Sequence, residues 1–515
     1  MPPTLLRRPL AVAPDPAVVF EALTRGAENA FWLDSGPGAT TGRSYLGVPA
    51  SVHRCRDWSE LYEVLQDAGV ADAEERPSPD TGTRAPVSHQ VPDAGTGPRF
   101  RLGWVGWLAY ELGLPDAPRP ADVRGDAAVL LRVDEAVEFD HDTGTVTLLA
   151  LDSPSAAEWL ARTAATLESL DRDGAATRRT GSPAVTASLD PQHPVLTATA
   201  GPEHPQPTPT PTPTPTLEAR PRHDYPAYAA MIEACKATIA RGDAYQLCLT
   251  NEFAVDVHPD PLDTYLALRA ASPSHHGGYL KAAGTALLSS SPEQFLAVTA
   301  DGRVRSKPIK GTRPRGAGPV DDALLVRELA ASQKERAENL MIVDLVRNDL
   351  SKVCALGSVA VPTLLEVETY PQVHQLVSTV EGRLAEGRNG LDAVAACFPA
   401  GSMTGAPKRS AVHTLAALEG GPRGIYSGAL GYFSRDGALD LAMVIRSIVL
   451  DDRGATVGAG GGITALSEPG DEVEETRVKA AVLLAVLGAA SPAPLGPSTP
   501  ARPTASAAPR EHAKL

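Results

Sequence analysis

Residues 424–463 read GIYSGALGYFSRDGALDLAMVIRSIVLDDRGATVGAGGGI, three apolar runs separated by SRDG and DDRG. Turn residues set between apolar runs predict an antiparallel meander. The middle run, LAMVIRSIVL at 441–450, is apolar on both alternating faces and reads as a strand covered on both sides, yet Arg446 lies within it. A buried, unpaired guanidinium is prohibitively costly, so Arg446 requires an anion: either a structural partner or the carboxylate of a ligand.

Working outward, residues 224–257 (DYPAYAAMIEACKATIARGDAYQLCLTNEFAVDV) place Met231, Ile232, Cys235 and Ile239 at helical spacing, with a stop near Gly242 and a strand beyond it. AAVLLRVDEAVEFDHDTGTVTLLAL at 127–151 reads as strand, turn, strand, bending at Thr143 and Gly144. The fold class is therefore mixed α and β. Residues 171–216, which end in a Thr-Pro repeat, read as an extended linker, because proline fixes φ and removes a backbone donor. Residues 71–98 read as a flexible insertion and 489–515 as a disordered tail. The organisation expected is an N-terminal region (1–170), the linker, a catalytic region (217–488) and the tail.

The chain has 515 residues, 43% of them apolar, and a formal net charge of -15. An acidic balance argues against a general electrostatic grip on nucleic acid and favours small-molecule chemistry. The 47 prolines and 45 glycines make up about 18% of the chain, against an average near 12%, as linker content requires. Five scattered cysteines (55, 235, 248, 354 and 397) lack CxxC spacing and suit a reducing cytoplasm. No window reads as a secretion signal or a membrane-spanning helix.

Candidate chemistry gathers in a few stretches. SQKERAENLMIVDLVRNDL (332–350) suits a buried helix carrying Glu338 near its start, where Lys334 could pair with it on a solvated face. SEPGDEVEETRVKAAVLLAVL (467–487) opens a helix at Ser467 and Pro469 and sets Glu472 and Glu475 on one face. Such acids most simply serve a helix N-terminus. As ligands, carboxylates from two helices without cysteine or histidine suit Mg²⁺ rather than zinc. KPIKGTRPRG (307–316), FPAGSMTGAPKRS (398–410) and GAGGGI (458–463) match no nucleotide-binding loop but offer backbone N–H groups to carboxylates. Lys310 could act as a nucleophile once desolvated.

From about 217 to 487 the motifs GDAYQLCLTN, SSSPEQFL, PIKGTRPRG, KERAENLMIVDLVRNDL, VHQLVST, FPAGSMTGAPK, GIYSGALGYF, IRSIVL and GAGGGITALSEPGDEVEET follow one another. WLDS, RSYLG and GWVGWLAYE add weaker echoes upstream. In this order they resemble the chorismate-utilising enzymes: anthranilate synthase component I, aminodeoxychorismate synthase component I, and the isochorismate and salicylate synthases. The resemblance implies an α+β fold, a large α/β sandwich of two antiparallel sheets flanked by helices, to which the N-terminal strands contribute.

Isochorismate and salicylate synthases are similar to one another in having a water-activating lysine where this chain has Gln246. Anthranilate synthases read PIAGT where it has PIKGT, and Lys310 is similar to the covalent nucleophile of aminodeoxychorismate synthases. The resemblance then implies Mg²⁺ held by Glu338, Glu472 and Glu475, with Arg446, Tyr426, Thr312, Gly460, Gly462 and Lys479 around chorismate. Glu293 would be the acid at the C4 hydroxyl, and Lys310 should have a depressed pKa through burial or the neighbouring Lys307 and Arg313. His374 looks like the base for pyruvate elimination in anthranilate synthases, a step not expected here. Ammonia would come from a separate glutamine amidotransferase subunit, since no cysteine sits on a glycine-flanked elbow. Alternatives are an anthranilate synthase component I and a catalytically silent scaffold subunit; retention of Lys310, Glu338, Arg446 and Glu475 argues against the scaffold. LDS departs from the LLES motif of tryptophan feedback.

Deleting Pro205–Thr216 is expected to shift the melting temperature by less than about 2 °C, because a donor-poor repeat makes few buried contacts and loop closure depends weakly on length. Thermal unfolding followed by circular dichroism checks this.

Overall fold

The computed structural model describes residues 4–66, 97–114, 126–179, 217–370 and 372–490. The 424–463 stretch forms two hairpins in different sheets rather than a continuous meander. Ala429–Ser434 pairs with Leu439–Met443 in one sheet, and Ser447–Asp451 with Gly454–Ile463 in the other. The run that read as one covered strand changes sheets at its single charge. Arg446 takes φ 52°, and its carbonyl accepts from both the N–H and the hydroxyl of Ser290, at 3.1 and 3.0 Å. These bonds satisfy the backbone where the ladder ends.

In the larger sheet the order runs Leu5–Leu10, Thr145–Leu151, Glu135–Asp140, Arg43–Gly47, Ala30–Asp34, His276–Ala282, Thr285–Ser291, Ser447–Asp451, Gly454–Ile463, Gln246–Val255 and Arg220–Pro221. The second sheet runs Ile309–Pro314, Val373–Arg383, Arg303–Ser306, Gln294–Val298, Leu439–Met443, Ala429–Ser434, Gly103–Leu108, Ala128–Val133 and Ser51–Cys55. Pairing within both is antiparallel. Strands from either side of 180–216 are neighbours in each sheet: Ala30–Asp34 lies against His276–Ala282, and Gly103–Leu108 against Ala429–Ser434.

Alternation along these strands divides the apolar side chains between three layers of core. Phe31, Leu33, Val105, Leu131 and Leu430 meet between the sheets. Trp32 and Leu288 face outward from the larger sheet against Phe20, Leu167, Leu268 and Leu483 of its helices. Trp104 and Leu441 face outward from the smaller one against Leu61, Val343, Leu350 and Val394. The result is the α+β sandwich of two antiparallel sheets flanked by helices that the motifs implied. Among the described residues, no helix is long and apolar enough to cross a membrane.

Two expected boundaries move. Residues 171–179 lie in the helix Ala156–Arg179 rather than in a linker, because DRDGAATRR lacks proline and continues a helix already anchored by Ala164 and Leu167. Ala489–Ala490, read as the start of the tail, pairs in parallel with Leu217–Glu218. The remainder of the linker (180–216) and of the tail (491–515), and residues 71–96 of the insertion, fall outside the described residues.

Distant segments are tied together at Arg423. Its guanidinium donates to both Glu419 oxygens (2.7 and 2.8 Å), to Met403 O (2.6 Å) and to Cys248 O (2.8 Å), and lies 4.4 Å from the centre of the Tyr110 ring. Its backbone N–H donates to Glu111 at 2.7 Å, and Glu419 also accepts from the N–H and hydroxyl of Thr250. Both charged side chains are buried. Arg423→Leu strands Glu419 in the interior and is expected to cost about 3–5 kcal/mol. Urea unfolding checks this, with the double variant Arg423→Leu/Glu419→Leu losing much less than the sum of the two singles.

Candidate active site

A cavity of about 380 Å³ lies between the glycine-rich strand, the helices Gln333–Ser351 and Pro469–Val486, and the strand Ile309–Pro314. Local sequence explains why these elements approach so closely. A Cβ on Gly458 would stand 2.2 Å from Cγ of Tyr426, so the tyrosine ring lies on bare backbone. At Gly461 a Cβ would come within 3.1 Å of Glu472 Oε2 and 3.6 Å of Glu475 Oε1. Gly311, at φ 77°, is the extra residue of a bulge between Lys310 and Thr312, a conformation that only glycine adopts readily.

Three carboxylates enter from two helices. The helix Gln333–Ser351 is capped by Ser332, whose hydroxyl accepts from Glu335 N, and carries Glu338 one turn in. The other helix starts at Pro469, with Ser467 donating to Glu472 at 2.7 Å. Lys334 pairs with Glu472 (3.7 Å) across the two helices, not with Glu338 on its own helix, and Lys479 binds Glu475 at 2.6 Å and Gly460 O at 2.8 Å. Buried Glu338 Oε1 has no hydrogen-bond partner. Burial pushes the Glu338 carboxyl above its ordinary range. It pushes Glu475 up too, but Lys479 outweighs it and holds that carboxyl low.

As placed, no three acidic, histidine or cysteine groups among the described residues converge tightly enough to grip a metal ion. The all-oxygen donors and the orphaned Glu338 oxygen nevertheless suit a hard dication.

Lys310 lines the same cavity as Glu293 and Ser402. Burial pulls the Lys310 amine down, but the Cys248 thiol and the Glu338, Glu293 and Glu475 carboxylates outweigh it and hold the amine above its ordinary value. This reverses the depressed pKa read from sequence. The cations expected to repel it are engaged elsewhere, Lys307 with Glu368 at 2.8 Å and Arg313 with Glu328 at 3.1 Å. Glu293 is raised by burial against the opposing pull of Lys310, Ser402 and the Ile309 N–H. The two groups act on each other through space, Lys310 favouring the ionised carboxyl and Glu293 the charged amine.

Arg446 and Tyr426 face the cavity from the sheet crossing, and burial holds the guanidinium below its ordinary value with Tyr426 and Glu475 pulling the other way. Thr312, Gly460, Gly462 and Lys479 also line it. His374 does not. It is 1% exposed, with Nδ1 2.9 Å from Thr369 Oγ1 and Nε2 2.9 Å from Asp322 Oδ1. Strand alternation turns it away and presents Gln375 instead. Cys248, Ser402 and Gln375 are cavity residues the sequence reading passed over. Only their adjacency to Gln246, the GSMTG turn and His374 could have pointed to them.

With this fold and cavity in hand, comparison places the chain: it belongs to the chorismate binding enzyme family, whose model matches residues 30–485. It is 42% identical over 505 residues to aminodeoxychorismate synthase of Streptomyces pristinaespiralis, an alignment covering 93% of this chain and 64% of that relative's length. It is 38% identical over 413 residues to anthranilate synthase component 1 of Streptomyces coelicolor, covering 79% of this chain and 76% of the relative. The crystal structure of anthranilate synthase component I from Streptococcus pneumoniae superposes with a TM-score of 0.63 at 25% identity, covering 87% of this chain and 93% of that one.

Glu338→Gln removes one of the charges that hold the Lys310 amine high, so the pH midpoint for acylation of Lys310 should fall by about one unit. Peptide mass spectrometry across a pH series checks this, an unchanged or higher midpoint being the contrary result.

Proposed function

We propose that the chain aminates chorismate with ammonia to 4-amino-4-deoxychorismate, by way of a covalent bond between Lys310 and the ring. The observation that carries this reading is a half-buried amine and a buried carboxyl, Lys310 and Glu293, lining one cavity with Arg446 and Tyr426. The first relative's name supports it, as does lysine in PIKGT.

Moving a proton from Lys310 to Glu293 makes a nucleophile and an acid together. The amine bonds to ring C2, the ring double bonds shift, and the C4 hydroxyl leaves as water with the Glu293 proton. Ammonia then bonds to C4, the C2–N bond breaks and frees the lysine, and Glu293 takes the proton lost by the added nitrogen. Arg446 and Tyr426 hold the enolpyruvyl carboxylate throughout. Backbone at Gly460 and Gly462 lines the site, with Thr312 and Lys479 close by. Glu338, Glu472 and Glu475 would hold Mg²⁺, which when bound neutralises the ring carboxylate and draws electron density from the ring.

Ammonia comes from a glutamine amidotransferase, since all five cysteines of this chain are free and buried and none is an exposed nucleophile. Those reduced thiols also suit the cytoplasm. Anthranilate synthesis is the second reading, favoured by the 38% identical relative. It has no use for Lys310 as a nucleophile, and His374, its expected elimination base, faces away from the cavity.

Lys310→Ala is expected to lose roughly 10³-fold or more of 4-amination while still binding chorismate with Mg²⁺. Intact-mass analysis of the wild type with chorismate and Mg²⁺, but no ammonia, should show an adduct equal to chorismate minus water, and the variant none. Full 4-amination by the variant, or anthranilate as the main wild-type product, overturns the assignment.

A further inference from the structure

His374 stands back to back with Gln375, which lines the cavity, and its ring bridges two other elements. Nδ1 lies 2.9 Å from Thr369 Oγ1 at the end of the strand Ala360–Thr369, and Nε2 lies 2.9 Å from Asp322 Oδ1 in the helix Pro319–Ala331. A carboxylate only accepts, so Nε2 donates, and in a neutral ring Nδ1 accepts from the threonine. Asp322 also gathers the loop before its own helix. Gly316 N–H donates to it at 2.8 Å, and Arg315 grips both of its oxygens at 2.9 and 2.8 Å. Arg315 first, then the Gly316 N–H, holds this carboxyl well below the usual range.

Little else fastens the helix. Of its thirteen residues Leu329 is the one that is buried, while Val320 and Leu324 are 74% and 56% exposed. Leu329 sits where Gly311 has no side chain: a Cβ there would stand 2.7 Å from Leu329 Cδ1 and 2.9 Å from Glu335 Cδ. Arg313 adds an ion pair with Glu328 near the surface. Thr312 and Lys334 line the cavity and are exposed, so they belong to its rim, and residues 313–333 are the stretch of chain that joins one to the other. A segment with so few buried apolar contacts opens at low free energy, and such segments serve as covers that admit a substrate and then exclude water.

We infer that His374 is a positioning residue for the reaction: through Asp322 it latches residues 314–331 as a cover along the rim of the cavity, and release of the latch opens the rim to chorismate. Its ring touches no reacting atom and carries no proton for the chemistry. Fixed in the buried strand Val373–Arg383, it offers the helix one polar contact that is made when the cover lies down and broken when it lifts. The inference takes chorismate as the guest and is independent of which ring carbon is aminated.

Two amides of different length separate a latch from packing. Glutamine places its amide nitrogen near the position of Nε2 and can still donate to Asp322; asparagine reaches the position of Nδ1 and keeps at most the Thr369 bond. In the free enzyme, amide hydrogen exchange over residues 319–331 should be roughly tenfold faster in His374→Asn than in the wild type and within about twofold of it in His374→Gln, with the strand Val373–Arg383 unchanged in both. Chorismate KM should rise roughly fivefold or more in His374→Asn and recover in His374→Gln, with kcat within about twofold throughout. Exchange that quickens in the strand as well, or equally in the two variants, assigns His374 to core packing and overturns the latch. Unchanged exchange and KM in His374→Asn overturn it too. The exchange measurement needs no ligand, so a failure of the chorismate reading still leaves the latch to be judged.

Discussion

A single guanidinium joins parts of the chain that are more than 300 residues apart. Arg423 binds the carboxylate of Glu419, the carbonyls of Cys248 and Met403, and through its own N–H the side chain of Glu111. Cys248 and Met403 are walls of the cavity, and Tyr426 follows Arg423 by three residues. The larger sheet, the turn before Lys408 and the segment after Gly103–Leu108 therefore share one buried charge. Each partner offsets part of its desolvation, and losing one leaves the rest costly to bury. Precise placement of an active-site wall follows from a group that never touches it from inside.

The cavity shows the opposite economy. Glu293 and Glu338 are buried carboxyls whose ionised forms the interior disfavours, and Glu338 keeps an oxygen with no donor. Lys310, Lys334 and Lys479 compensate in part. A site arranged this way is poised for a guest that rebalances charge, and its carboxylates favour the charged form of the Lys310 amine. Strain of this kind collects where function requires it.

Much of this was legible in the sequence, for physical reasons that differ by residue. Glu338, Glu472 and Glu475 lie near helix starts that serine and proline announce, and the glycines at 458–462 mark close approach. Arg446 was visible as an anomaly, but a run apolar on both faces reads the same whether the chain continues in one sheet or crosses to another. His374 and Gln375 show the same limit: within the buried run QLVST, parity cannot be assigned from composition, so the histidine was placed in the cavity that the glutamine occupies. The state of Lys310 is not legible locally, because the groups that raise it, at 248, 338, 293 and 475, are distant in sequence, whereas Lys307 and Arg313 beside it bind other partners.

The interleaving of the sheets bears on how the protein is made. Gly103–Leu108 waits for Ala429–Ser434, and at about 5–20 residues per second the ribosome needs roughly 15–60 s to supply that neighbour. During this interval the edge of Gly103–Leu108 opposite Ala128–Val133 has no strand beside it. The time for which a growing chain carries an unpaired edge is thus set by sheet order rather than by final stability.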